Sequence, residues 1–229
     1  MSMGSGTLSA EGVQTMFDRL SPAYDVMNRL MTAGLDGGWR RAAAEAVVHP
    51  GDAVLDACCG TGDLALAAKR TGAGRVVGLD FSEPMLERAR KKSDEVEWVC
   101  GDVTNLPFTD GSFDAATIGF GIRNVPMLEQ ALRELVRVVR PGGALACLEV
   151  TRPRGALALF YALWFDRLIP LAGKLVPGGV AFTYLPASVR RFPGPEDLAA
   201  QMSLSGWDEI RWRLLAGGIV TLHTARRPA

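Results

Sequence analysis

Apolar runs of strand length alternate with segments of helical periodicity along most of the chain, and this alternation limits the choice of fold most strongly. The apolar runs cover residues 53–58, 75–80, 96–100, 113–120 and 144–150. Between them, residues 64–71, 84–92 and 127–140 carry apolar side chains at helical spacing. Strands that alternate with helices predict a mostly parallel sheet that is covered by helices on both faces.

The two ends of the chain depart from this pattern. Residues 11–41 form a predicted N-terminal helical cap that Pro22 interrupts, and the first ten residues are expected to be a disordered tail. A predicted helix over 195–203 and strands over 207–214 and 219–225 complete a doubly wound, seven-stranded α/β fold, with residues 1–229 forming one domain.

Residues 152–194 form an apolar, aromatic insertion after the fifth strand. Asp166, Arg167 and Lys174 interrupt its apolar run, so no span of about twenty apolar residues exists and a transmembrane helix is excluded. We expect helices that pack on the sheet, a cover over a lipophilic substrate, or both.

Composition narrows the functional classes. The chain has 229 residues, 48% of them hydrophobic, and 25 Lys and Arg balance 25 Asp and Glu, as in a soluble globular protein without the basic surface of a nucleic-acid binder. The four cysteines, Cys58, Cys59, Cys100 and Cys147, lack the spacing of a zinc site. We therefore expect buried free thiols and no bound metal. Free thiols are typical of a reducing compartment, so we also expect a cytoplasmic location.

The segment VLDACCGTGDLALAAKR, residues 54–70, joins the first strand to the next helix. Gly60 and Gly62 permit a tight turn there, and the helix N-terminus offers N–H groups to an anion. Ligands of doubly wound sheets bind at this edge, where the strand order reverses. The glycine spacing also fits a dinucleotide. The Cys58-Cys59 pair suggests metal or redox chemistry, but neighbouring side chains of an extended chain point apart, so the two thiols could not bind one metal without strain.

Acidic residues at successive strand ends discriminate between these cofactors. Asp56 and Asp63 border the loop, which disfavours a pyrophosphate and favours the zwitterionic tail of S-adenosylmethionine. Asp80 is predicted to accept hydrogen bonds from a ribose, a feature shared with nicotinamide-binding domains. Asp102 is predicted to accept from an adenine amine, with the Val103 N–H available to a ring nitrogen.

Longer blocks of sequence carry a family resemblance. They are FDRLSPAYDVMNRLMTAGLDGGWRR, VLDACCGTGDLAL, IGFGIRNV, RVVRPGGALACLEVTRP, YLPASVRRFPGPEDLAAQM and GGIVTLHTA. Together these blocks, spread over residues 15–225, resemble the quinone C-methyltransferases of menaquinone and ubiquinone biosynthesis, and Cys58-Cys59 is more similar to the menaquinone branch.

The resemblance implies methyl transfer from S-adenosylmethionine to a ring carbon of a polyprenylated quinol, with demethylmenaquinol converted to menaquinol. The expected cofactor-binding residues are Asp56, Gly60, Thr61, Gly62, Asp80, Phe81, Asp102, Val103 and Gly119. Arg123 and Asn124 are the expected catalytic pair at the quinol, and Tyr24 either closes over the substrate ring or packs in the core. Association with the inner face of a membrane and a homodimer are further expectations.

Three alternatives stay open at this point. In the first, the enzyme is a methyltransferase of the same fold whose acceptor is another lipophilic phenol or a secondary metabolite. This alternative stays open because the fold and the cofactor loop do not define the acceptor. A nicotinamide-dependent oxidoreductase would need a further catalytic element, such as Tyr-x-x-x-Lys, which the sequence lacks. A cofactor-binding module without catalytic activity is the third alternative.

Overall fold

The computed structural model describes residues 10–20, 24–32, 34–153 and 180–229. The strands are β1 (Ala53–Ala57), β2 (Arg75–Asp80), β3 (Glu97–Cys100), β4 (Phe113–Gly119), β5 (Val139–Val150), β6 (Asp208–Leu215) and β7 (Val220–Arg226). The helices are α1 (Ala10–Leu20), α2 (Tyr24–Met31), α3 (Asp36–Val47), α4 (Asp63–Arg70), α5 (Glu83–Lys92), α6 (Leu128–Val138), α7 (Val180–Arg191) and α8 (Pro195–Leu204). Short 3₁₀ turns cover Ile122–Asn124 and Ala216–Gly218.

The strands form one seven-stranded sheet in the order β3-β2-β1-β4-β5-β7-β6. The first five strands along the sequence run parallel, whereas β7 lies antiparallel between β5 and β6. This topology confirms the predicted doubly wound, mostly parallel fold. The order reverses at β1, since β2 lies on one side and β4 on the other, and this position creates a crevice at the carboxyl ends of the strands.

Alternate side chains of each central strand build two separate core layers. On β1, Val54 packs in the layer that contains Ala44 of α3 and Leu64 of α4. Leu55 points to the opposite face and packs in the layer that contains Leu132 of α6 and Leu198 of α8. The sheet is therefore covered on both faces, which explains why its strands read as continuous apolar runs in the sequence.

The structure corrects two predicted boundaries. Helix α3 continues to Val47 instead of ending at residue 41, because its last turns bury alanine and valine side chains against the sheet. Helix α6 ends at Val138, and Val139 already pairs with Phe113. The Pro141-Gly142-Gly143 segment consequently bulges within β5, where Gly142 adopts a φ of 75°, instead of forming a turn ahead of the strand.

Several predictions fall outside the described residues. These are residues 1–9 of the predicted tail, the helix break at Pro22 and residues 154–179 of the apolar insertion. The tenth residue of the predicted tail, Ala10, instead begins α1. Within the rest of that insertion, the chain forms α7. Among the described residues, no helix is both long and apolar enough to span a membrane. The assignment of the whole chain to one domain stays a prediction.

Candidate active site

A cavity of about 350 Å³ lies at the carboxyl ends of the central strands, beneath α1 and α2. Nine of the twelve predicted site residues line it: Tyr24, Gly60, Thr61, Asp80, Phe81, Asp102, Val103, Gly119 and Asn124. The other three, Asp56, Gly62 and Arg123, lie behind this lining and support it. Strand-end spacing in the sequence therefore located the cavity, although it did not separate lining residues from supporting ones.

The loop after β1 is held in an unusual backbone conformation. Cys58, Gly60 and Gly62 all adopt positive φ angles, of 52°, 55° and 85°. A Cβ on Gly62 would lie 2.3 Å from the ring of Trp98, so only glycine fits between the loop and that indole. This packing turns the chain sharply into α4 and presents the loop backbone to the cavity.

Asp80 links the loop to the end of β2. One carboxylate oxygen accepts the Gly60 N–H at 2.8 Å, and the other accepts the Ser82 N–H at 2.9 Å. Burial raises the pKa of Asp80 to about 6, against the lowering effect of these backbone donors. Each oxygen has a second lone pair, so the cavity-facing carboxylate suits the two hydroxyls of a ribose.

The neighbouring wall suits a flat, partly polar ring. Val103 is buried, while Asp102 is exposed at the cavity rim and accepts the Thr104 N–H at 2.8 Å. Phe81 meets Phe17 of α1 edge to face, with ring centroids 6.5 Å apart. A carboxylate beside apolar and aromatic surfaces fits an adenine ring that carries an exocyclic amine.

The two acidic residues that border the loop do not act as the charge argument assumed. Asp56 is fully buried in β1, accepts the Thr117 hydroxyl at 2.8 Å and is absent from the cavity lining. Burial raises its pKa to about 7. Asp63 lines the cavity, but Lys92 pairs with it at 2.7 Å. The charge argument placed both carboxylates at the loop surface; the structure places only Asp63 there, and Asp63 shares Lys92 with Asp25. The Asp56 part of the argument was therefore wrong.

Helices α1 and α2 are attached to the cavity by polar contacts that the sequence did not predict. The Thr61 hydroxyl donates to Asp25 at 2.5 Å, and Lys92 bridges Thr61, Asp25 and Asp63 at 2.7–3.0 Å. We call this group the Asp25 latch. Ser82 similarly donates to Asp18 of α1 at 2.5 Å. Gln14 of α1 also donates to the Phe81 carbonyl. The residues joined by these contacts lie 29 to 67 positions apart in the sequence, so local sequence patterns do not predict the contacts.

The loop after β4 separates the predicted catalytic pair. Asn124 lines the cavity, whereas the Arg123 side chain is only 8% exposed and pairs with buried Glu149 at 2.7 Å. Glu149 also accepts the backbone N–H of Arg123 at 3.3 Å, and Arg123 donates to the Phe120 carbonyl. The pair thus fixes the turn that presents Asn124.

The cysteine prediction needs one correction. Cys58 and Cys59 face different neighbours, since Cys58 lies against Gly121 and Cys59 against Gly78. Burial raises the pKa of both thiols. Cys100, predicted to be buried, is exposed because it ends β3, the edge strand of the sheet.

Sequence reasoning also missed Arg40, which lines the cavity from α3. A signal was present: Arg40, Ala43, Ala44 and Val47 share one buried helical stripe, and a charged residue at the start of such a stripe is unusual.

Solved structures share this fold. The cyclase SpnF aligns with a TM-score of 0.73 at 19% identity, covering 99% of this chain and 100% of that one. A SAM-dependent methyltransferase of Thermotoga maritima aligns with a TM-score of 0.68 at 21% identity, covering 93% and 99%. Because one of these proteins is a cyclase, the fold alone leaves the reaction open.

The fold and the strand-end site define a protein of the class of S-adenosylmethionine-dependent methyltransferases. Within that class, the chain belongs to the ubiE/COQ5 methyltransferase family, whose model matches residues 6–227. A demethylmenaquinone methyltransferase of Thermus thermophilus is 44% identical over 93% of this chain and all of its own length. Another, of Desulfitobacterium hafniense, is 41% identical over 98% of this chain and 93% of its own.

Proposed function

We propose that this protein transfers the methyl group of S-adenosylmethionine to a ring carbon of demethylmenaquinol and so forms menaquinol. The observation that carries the proposal is one cavity with two kinds of wall. Carboxylates at strand ends contribute one part of its lining. Val125 and Met127, next to Asn124 in the chain, and the aromatic Phe17 and Tyr24 contribute apolar surface to the same cavity. The names of the two bacterial relatives support the choice of acceptor.

The cofactor supplies a methyl group that its sulfonium activates for transfer. In the proposal, Asp80 accepts from the ribose hydroxyls and Asp102 from the adenine amine. Phe81, Val103 and the loop from Gly60 to Gly62 enclose the rest of the adenosine. These residues would hold the cofactor in the same cavity as the acceptor, which reduces the entropic cost of reaching the reactive geometry.

The acceptor must be the reduced quinol. Its hydroxyl oxygens make the neighbouring ring carbons electron-rich, and loss of a hydroxyl proton strengthens the nucleophile further, whereas the oxidised quinone lacks this activation. We assign Asn124 to hold a ring hydroxyl or a water beside it, and Tyr24 to cover the ring. The apolar wall excludes water that would compete for these polar groups.

Arg123 is assigned an indirect role. Arginine is a poor base because its guanidinium stays protonated at neutral pH, and the Arg123 side chain is paired with Glu149 instead of lining the cavity. We infer that the Arg123–Glu149 pair positions Asn124 and that its guanidinium adds positive potential near a developing phenolate. A water then relays the hydroxyl proton to a carboxylate, and the ring carbon takes the methyl group as S-adenosylhomocysteine leaves. The proton on that ring carbon then moves to the ring oxygen as aromaticity returns, so one proton is released for each methyl transferred.

Turnover of a panel of acceptors tests the proposal. Purified protein with S-adenosylmethionine and a reductant should methylate a short-chain demethylmenaquinol faster than simple lipophilic phenols of similar size. Equal or greater activity on the phenols would favour the alternative acceptor class. No methylation of any acceptor, with the cofactor bound, would favour the binding module.

Association with a membrane and a homodimer are also proposals. The apolar composition of residues 152–194 supports membrane association. If this segment binds the polyprenyl tail of the acceptor, each CH₂ group of the tail that it buries contributes about 0.8 kcal/mol of transfer free energy. Sedimentation with anionic lipid vesicles tests membrane association, and analytical ultracentrifugation tests the dimer.

A further inference from the structure

Arg40 is a buried cation at the wall of the cavity. Its side chain is only 9% exposed, and it lines the cavity from α3. Among the described lining residues it is the one that carries a positive charge, while Asp63, Asp80 and Asp102 are acidic. Charged side chains are rarely buried to this extent without a partner of opposite charge, so the position of Arg40 requires an explanation.

The contacts of Arg40 leave much of its binding capacity unused. Among the described residues, the guanidinium makes one ion pair, from Nε to an Asp36 carboxylate oxygen at 3.4 Å. Its face packs over the Phe120 ring, with Cζ 5.1 Å from the centroid. These contacts fix the plane of the guanidinium, and they involve neither of the two terminal nitrogens, which form the fork that binds a carboxylate.

A terminal nitrogen of Arg40 lies beside the end of β4. A Cβ added to Gly119, which lines the cavity there, would be 3.9 Å from Nη1 of Arg40, an ordinary contact distance, and 2.8 Å from Cδ2 of Leu64. Nη1 of the charged guanidinium is therefore placed next to the cavity lining at the β4 end. The same charge lies near enough to buried Asp56 to lower the pKa of that carboxyl, against the larger effect of burial.

We propose that Arg40 binds the carboxylate of the amino-acid portion of S-adenosylmethionine through its terminal guanidinium nitrogens. This inference rests on the proposed cofactor and is independent of the acceptor. Asp80 and Asp102 take the hydroxyls and the amine of the adenosine, both of which are donors, and they cannot bind a carboxylate. Arg40 supplies the complementary charge at the β1–β4 side, so the cavity distinguishes the complete cofactor from adenosyl compounds without a carboxylate.

The test compares two ligands that differ in this carboxylate alone, S-adenosylhomocysteine and its decarboxylated amine analogue. Calorimetry with the full chain should show that the parent binds S-adenosylhomocysteine at least tenfold more tightly than the analogue. Arg40→Met should weaken S-adenosylhomocysteine by about 10- to 100-fold, typical of a lost charge-assisted hydrogen bond, and leave the analogue unchanged or tighter. Arg40→Lys should restore part of the preference, since it keeps the charge and loses the fork.

Arg41→Met is the matched control, because Arg41 is the next residue of the same helix and is exposed. It should leave both affinities unchanged. A parent that binds both ligands equally would overturn the proposal, whether or not the Arg40 variants fold. An equal loss for both ligands in Arg40→Met would also overturn it, because that result indicates a structural role. Binding is measured without a quinol, so a failure of quinol methylation leaves this result intact.

Discussion

The two sides of the cavity are held in different ways. On the proposed cofactor side, Asp80 is fixed by backbone N–H groups, and Asp102 also accepts a backbone N–H. On the proposed acceptor side, the turn that carries Asn124 depends on a buried ion pair between side chains, Arg123 and Glu149. The first arrangement follows from the fold itself, whereas the second depends on a few side chains that substitution can alter.

This difference indicates where the protein can vary. The proposed cofactor site is built on strand ends, and it should tolerate changes elsewhere in the chain because the sheet register sets its geometry. The proposed acceptor site, whose turn is held by one ion pair, should change with that pair. Variants on the cofactor side should therefore alter ligand affinity, while variants on the acceptor side should alter stability and turnover.

The largest effect is expected for Arg123→Ala. This change leaves the buried Glu149 carboxylate without its main partner, at a cost of about 3–5 kcal/mol in the free energy of unfolding, measured by urea denaturation. In the folded fraction, turnover should fall by roughly a hundredfold, with affinity for S-adenosylmethionine nearly unchanged.

Two controls sharpen the Arg123 result. Arg133→Ala breaks an exposed pair with Glu129 and should cost about 0.5 kcal/mol or less. The double variant Arg123→Met, Glu149→Leu removes both buried charges and should recover much of the lost stability. If the double variant also recovered full turnover, the guanidinium would have no role in the reaction. An Arg123→Ala protein with unchanged stability and activity would contradict the positioning role.

Asp80→Ala should come next in size. The variant loses a buried charged acceptor, and the affinity for S-adenosylmethionine should fall at least tenfold, corresponding to about 1.5–3 kcal/mol. Asp80→Asn, which keeps one acceptor oxygen, should lose less. Asp94→Ala, on the exposed surface after α5, is the matched control in calorimetry. A folded Asp80→Ala protein with the parent affinity would remove Asp80 from the cofactor site.

Buried Asp56 should make the cofactor-free protein less stable as the pH rises. Its pKa is about 7 in the folded chain and near 3.8 when unfolded, so between these values the folded state holds the extra proton. Unfolding free energy should then decrease by up to about 1.4 kcal/mol per pH unit across this window and level off above pH 7. Asp56→Asn should reduce the slope between pH 4 and 7, most clearly between pH 6 and 7, because Asp80, with a folded pKa of about 6, contributes the same sign of slope below pH 6. A profile parallel to that of the parent would show that Asp56 is ionised in the fold.

The smallest effect is expected at the Asp25 latch. Its ion pairs are partly exposed and worth about 0.2–1 kcal/mol each, so Asp25→Asn should barely change stability. Dissociation of S-adenosylhomocysteine should become up to about fivefold faster in stopped-flow experiments, because α2 is held less tightly over the loop. Glu83→Gln, which breaks an exposed pair with Arg90, should leave the rate unchanged. An Asp25→Asn rate equal to that of Glu83→Gln would show that the latch does not retain the cofactor.

The same contrast explains what could be predicted from the sequence. Asp80 and Asp102 follow strands whose apolar periodicity is visible, and parallel strands bring their carboxyl ends together, so both residues were placed at one edge. The pairing of Arg123 with Glu149 joins residues 26 positions apart across two strands. No sequence periodicity predicts such a contact. The sequence therefore could not show that Asn124 lines the cavity while the adjacent Arg123 lies behind it.

Arg40 illustrates the intermediate case. Its place on the buried stripe of α3 was visible in the spacing, but the cavity above it forms only when α3 packs beside β4 and β5. The Pro-Gly-Gly segment was interpreted as a turn for a similar reason, since the pairing of Val139 with Phe113 depends on the neighbouring strand.

A single-turnover experiment tests the central claim, that one cavity holds S-adenosylmethionine beside a reduced quinol. The protein is mixed with stoichiometric cofactor bearing a CD₃ methyl group and with short-chain demethylmenaquinol under a reductant, and the products are followed by mass spectrometry. We predict menaquinol carrying CD₃ on a ring carbon, one S-adenosylhomocysteine formed per methyl transferred, and no product from the oxidised quinone. Label on a hydroxyl oxygen, or equal methylation of quinone and quinol, would contradict the account.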